Sequence, residues 1–245
     1  MNTMTLSPTH VPAAAACAPA STARGLGLLL VAEALLSFAP LVILGAAIGW
    51  PASLDKAAAE QLAAIGSNAD AVALGYGLYL LYSVLVAPLM IGLAARCFGG
   101  LHSPLAMTVA AFGALSALAR AIGILRWLTV MPVLATAHAV ADPAARAQIE
   151  LVFSAVTDYG GGIGEILGVS LFMALSLGTL SLAALARGGL PKWLAALGGV
   201  SAVMLAALAL PALRIDVQMP VAAAVSMLSL WMLAAGAWLL RQARG

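Results

Sequence analysis

Four ionisable side chains, Glu33, Arg120, Arg126 and Glu165, stand inside long apolar stretches of this 245-residue chain. An ionisable group in hydrocarbon costs about 2.5–3.5 kcal/mol on insertion scales, so these are the candidates for pairing, ligand binding or proton relay. At about 1.5 Å per residue, Arg120 lies about 22 Å into its stretch and Glu165 about 5 Å into the next. In antiparallel helices crossing a core about 30 Å thick, those depths nearly coincide. The two residues therefore form either an interhelical clamp or the lining of a polar cavity that binds a charged solute or relays protons. Arg126 lies further along the same helix, about 120° around it from Arg120, and competes for Glu165 or snorkels outward. Glu33 has Ser37 and Pro40 at i+4 and i+7 on its face. Pro40 frees the carbonyl of Leu36 and kinks the helix. A carboxyl beside freed backbone binds a proton or a cation, or else hydrogen-bonds a neighbouring helix in its protonated form.

The elements that carry these residues follow from composition. The chain is 64% hydrophobic and 8% charged, with a mean hydropathy of +1.08. Soluble domains carry about 25% charged residues, so this chain cannot cover a water-facing surface, and the dense basic patch of a nucleic-acid binder is missing. Six apolar runs are long enough to cross a bilayer: about 26–49, 72–95, 105–133, 162–186, 193–210 and 220–240. They are continuous, without the alternation of a membrane barrel, which makes them helices. The expected fold is an all-α, six-span membrane bundle in one domain over 25–241. Residues 1–24 form a disordered cytoplasmic tail and 242–245 the cytoplasmic end. Two cysteines, Cys17 and Cys97, are too few for a disulfide framework.

With both termini inside, the inner segments carry Arg24, Arg96, Arg187, Lys192, Arg241 and Arg244 and no acid. The outer loops hold Lys56, Arg146 and Arg214 among seven acids, as the positive-inside rule requires. Trp50, Tyr76, Trp127 and Tyr159 then fall at the outer interface, and Trp193 and Trp238 at the inner one. In the outer loops, Asp142-Pro143 caps an amphipathic surface helix with a stripe of Ile149, Val152, Phe153 and Val156; a weaker helix covers 53–65.

Glycines supply a second pattern. Gly160, Gly164 and Gly168 form a small-residue stripe for close helix packing, and Gly45 and Gly49 form another. No P-loop ending accompanies the glycine run, and His10, His102 and His138 are scattered. Tyr76, Tyr79 and Tyr82 make a stripe that reads as interface and packing ahead of a cofactor site. No nucleophile, base or metal set emerges, so the expectation is a non-enzymatic protein without cofactor or metal.

Arg120, Arg126-Trp127, Tyr159-Gly160, Gly178 and the turn Arg187-Gly188-Gly189-Leu190-Pro191-Lys192-Trp193-Leu194, followed by Gly198, resemble the domain-of-unknown-function 4386 family of bacterial integral membrane proteins. The likeness is sharpest over 160–198. It implies six spans in the bacterial inner membrane and supplies no reaction. The long Pro/Ala tail and Glu33 depart from the family pattern. Two functional readings follow. The first is a membrane component that packs, through its small-residue stripes, with a second copy or a membrane-protein partner. The second is a small permease or proton-coupled transporter that moves a small solute using Glu33, Arg120 and Glu165. Besides these, the lipid bilayer is the only partner expected, and nucleic acid is excluded.

Overall fold

The computed structural model describes residues 20–244, and the expected tail over 1–19 lies outside them. Every regular element among the described residues is helical. The chain runs α1 (Ala20–Leu36), α2 (Phe38–Ile48), α3 (Ala58–Ser67), α4 (Ala69–Phe98), α5 (Pro104–Val140), α6 (Pro143–Gly161), a π-helical segment (Gly162–Phe172), α7 (Met173–Arg187), α8 (Lys192–Ala207) and α9 (Val221–Gln242). Helix α1 begins at Ala20, so residues 20–24, expected in the tail, belong to the first helix.

Five helical runs are long and apolar enough to cross a membrane: Ser21–Ile48, Ala69–Phe98, Pro104–Val140, Pro143–Arg187 and Val221–Gln242. The sixth expected stretch, 193–210, is a shorter apolar helix that ends at Ala207. Pro211 explains the stop. Its ring excludes an α-helical continuation over the preceding turn, and the chain tightens into a 3-10 turn at Leu210–Leu213.

Helices α1, α4, α5, α7, α8 and α9 contact one another in that order and close into a ring, with α9 returning to α1. The ring buries Leu30, Met90, Leu93, Leu177, Trp231 and Met232 completely. At one end, Gly27 of α1 lies against Gly236 and Leu240 of α9. Arg96 at the end of α4 donates to Gln242 at 3.1 Å, and the Gly189 turn rests on Cys97. The first and last helices therefore begin and end side by side, in the company of the basic residues.

The opposite end holds a second core built from Leu44, Leu62, Ile65, Tyr76, Trp127 and Phe153. Here α5, 37 residues long, spans about 55 Å, well beyond a hydrocarbon core of about 30 Å. Asp142 caps α6 through the Ala145 amide at 2.9 Å. Helix α6 then packs back on α5 and α3. The expected surface helix is thus the N-terminal part of a continuous helical run, Pro143–Arg187. Phe153 of its stripe is buried, Ile149 and Val156 are half-buried, and Val152 is exposed. Between α1 and α2 the helix breaks at Ser37, three residues before Pro40, and the Ser37 hydroxyl donates to the Ala34 carbonyl at 2.7 Å.

Candidate functional site

The site grows from the seam between α5 and the π-helical segment. Gly123 faces Gly164 so closely that a Cβ on Gly123 would stand 2.7 Å from the Gly164 Cα. One turn to either side, glycine makes room for arginine. A Cβ on Gly168 would meet the Arg120 Cγ at 2.9 Å, and one on Gly160 would meet the Arg126 Cδ at 2.5 Å. The stripe Gly160–Gly164–Gly168 is therefore filled from within the chain, by two arginine side chains and a backbone contact. A π-helix misaligns part of its own hydrogen-bond ladder; the Ser116 hydroxyl answers the Gly168 carbonyl at 2.7 Å. Gly45 and Gly49 play no comparable part. The nearest atom to a Cβ on Gly45 is the carbonyl oxygen of Trp50, at an ordinary 3.5 Å. Gly49 ends α2 in the left-handed conformation with φ +72°, touching no helix, because it is a terminator and not an interior residue.

Beside this seam lies a small cleft, partly open at the protein surface. Arg120, Arg126 and Glu165 line it, with walls from Trp50, Tyr76, Tyr79 and Trp127. Tyr76 and Trp127 stack with centroids 4.8 Å apart and planes 3° from parallel. Both are buried, so they are core residues where an interface position was expected. Tyr159 and Trp193 are exposed, as lipid- or interface-facing rings would be.

Arg120 is only 2% exposed. Its guanidinium sits over the Tyr82 ring, 5.5 Å from the centroid, and its Nε, Nη1 and Nη2 all lack a hydrogen-bond partner. Arg126 is half-buried; its Nη1 donates to the Gly123 carbonyl of its own turn, its guanidinium lies 5.3 Å from the Trp127 centroid, and its Nε is unpartnered. Glu165 is exposed at the rim.

Arg120 and Glu165 share the cleft without closing an ion pair. The ion pairs among the described residues are Lys56–Glu60 at 3.8 Å and His138–Glu150 at 2.8 Å. The reason is azimuth: Arg120 turns inward over Gly168 and Tyr82, whereas Glu165 points out. Glu33 is fully buried, with neither carboxyl oxygen hydrogen-bonded, and stands outside the cleft lining.

The sequence model of the family described as Domain of unknown function (DUF4386) matches residues 26–242, nearly the whole chain. The chain belongs to the DUF4386 family. No curated protein and no solved structure matches it. In this DUF4386 chain the matched region includes every residue lining the cleft. Reading the sequence missed Gly123, Ser116 and the cation–π role of Tyr82. Gly123 is one of 24 glycines, and its only sequence signal is its place midway between Arg120 and Arg126. No group of three or more His, Cys, Asp or Glu side chains among the described residues gathers as a metal set.

Proposed function

We propose that this protein is a non-enzymatic, six-span component of the bacterial inner membrane, with both termini cytoplasmic, that binds a small solute in an outward-facing cleft. One observation carries the binding reading: a guanidinium 2% exposed, with three unpartnered nitrogens, lines a cleft that reaches the outside. A buried polar group without a partner is costly, and natural proteins keep such groups where something binds.

Six spans are supported by the ring of six helices and by the shared end of α1 and α9, since an even number of crossings returns the chain to its starting side. The orientation rests on charge: Arg24, Arg96, Arg187, Lys192, Arg241 and Arg244 collect toward the shared end. In this reading the cleft faces outward. The Gly160–Gly164–Gly168 stripe, on which packing with a second copy or a partner rested, is occupied inside the chain, so association would use other surfaces. Transport finds no support in a family of unassigned activity.

The test is directional labelling. In a background carrying Cys17→Ser and Cys97→Ser, Glu165→Cys should react with a membrane-impermeant maleimide added outside spheroplasts. Reaction only in inverted vesicles, or in neither, would overturn the outward cleft.

A further inference from the structure

We infer that the cleft takes the oxyanion end of its ligand, a carboxylate or a phosphate group carrying one negative charge, and that Arg120 is the residue that holds it. This rests on the cleft reading above and names its ligand class.

The first argument is the chemistry of what is left unpaired. Arg120 offers Nε, Nη1 and Nη2, Arg126 offers Nε, and Tyr76 offers its hydroxyl; all are buried and unpartnered, and all line one cleft. Guanidinium nitrogens can only donate, and a phenol can donate. A cleft whose buried spare groups are donors, its one carboxylate, Glu165, being exposed, calls for a ligand rich in acceptors. The second argument is shape. The Arg120 Cζ lies over the Tyr82 ring at 5.5 Å, a cation–π contact that uses none of its N–H groups as hydrogen bonds. The N–H fork is therefore free, and that fork matches the two oxygens of a carboxylate or phosphate.

The third argument is charge. Two arginines and one glutamate line the cleft, a formal excess of one positive charge. Neither Arg120 nor Arg126 closes an ion pair with an acid among the described residues, and Glu165 stands exposed. The fourth is access: the cleft is partly open, so a ligand can present its oxyanion to the lining while the remainder stays outside. The oxyanion can thus belong to a free small solute or to the phosphodiester of an anionic phospholipid in the outer leaflet.

The experiment uses the full-length protein in phosphatidylcholine nanodiscs and reads the thermal unfolding midpoint. The probes are inorganic phosphate, acetate and, separately, phosphatidylglycerol mixed into the disc, each against sodium chloride at matched ionic strength. Binding to the folded state alone raises the midpoint with ligand concentration. A rise with phosphate or acetate alone identifies a free oxyanion, a rise with phosphatidylglycerol alone identifies the lipid, and a rise with both identifies the group itself. In each case Arg120→Lys, which keeps the charge and loses the fork, should weaken binding by about tenfold or more, and Lys56→Gln should not. If Arg120→Lys unfolds, protection of the Glu165→Cys thiol from maleimide by the same probes, in the Arg120 protein, serves instead. No rise and no protection with any probe, or a rise that Arg120→Lys leaves intact, overturns the inference. Outside labelling of Glu165→Cys with no oxyanion effect sinks the ligand class alone; failure of that labelling sinks the cleft itself.

Discussion

Gly123 of α5 and Gly164 of the π-helical segment meet backbone to backbone, and the contact is not symmetric. A Cβ on Gly123 would press to 2.7 Å on the Gly164 Cα and 2.9 Å on the Gly160 carbonyl oxygen, whereas one on Gly164 would find its nearest neighbour at 3.2 Å. Gly123→Ala should therefore destabilise the protein by about 1–3 kcal/mol, the usual cost of overpacking. Gly164→Ala should cost less than that. Gly162→Ala, whose side faces open space, should be neutral or stabilising, because alanine favours a helix by about 1 kcal/mol over glycine. Thermal unfolding in detergent ranks the three.

The missing ion pair between Arg120 and Glu165 leads to a second expectation. Arg120→Glu should lower folded yield strongly, since it sets an acid in the tight space over Gly168. Glu165→Arg, at an exposed position, should fold nearly as well as the parent. The double exchange should be no better than Arg120→Glu alone. Rescue by the double exchange would show a clamp and refute this geometry.

Tyr76 gives a third. Its ring is stacked on Trp127 and its hydroxyl has no partner. Tyr76→Phe keeps the stack and removes the orphan, so the unfolding midpoint should hold or rise. Tyr76→Ala should cost about 3–5 kcal/mol, as large aromatic truncations do.

At the α5–α6 hairpin, His138 and Glu150 join the two helices at 2.8 Å, and the Arg146 Nε donates to the His138 carbonyl at 3.2 Å. Glu150→Ala should change global stability by about 1 kcal/mol or less, the usual scale of a partly exposed pair. Its effect should be local. Amide exchange should quicken over residues 134–150 and stay unchanged in α7 and α9.

Much of the scaffold was legible because hydrocarbon is an unforgiving solvent: continuous apolar runs marked the long helices, and Asp142-Pro143 marked the start of α6. What escaped was azimuth. Arg120 and Glu165 share a depth, which rise per residue supplies, but they point in different directions. The same gap put Tyr76 and Trp127 at an interface when they stack in the core. The run Gly160–Gly164 reads as a break before a span, because glycine disfavours helix. In the structure the helix continues through it, since close backbone approach and the folded-over side chains of Arg120 and Arg126 replace the packing that glycine lacks. Length misled at 193–210, where Pro211 shortens the helix the apolar run would allow.

From Pro143 to Arg187 the chain is helical over 45 residues, a rod of about 67 Å at ordinary helical rise. Such a rod is stiff along its α-helical arms and gives way where the turns are widened, and here that place is Gly162–Phe172. That joint supplies Gly164, Glu165 and Val169 to the wall of the cleft, so the place where the rod bends most easily is also a side of the site. Bending at this joint would move Glu165 relative to Arg120 and Arg126, so the shape of the rod and the spacing of the charges in the cleft are linked.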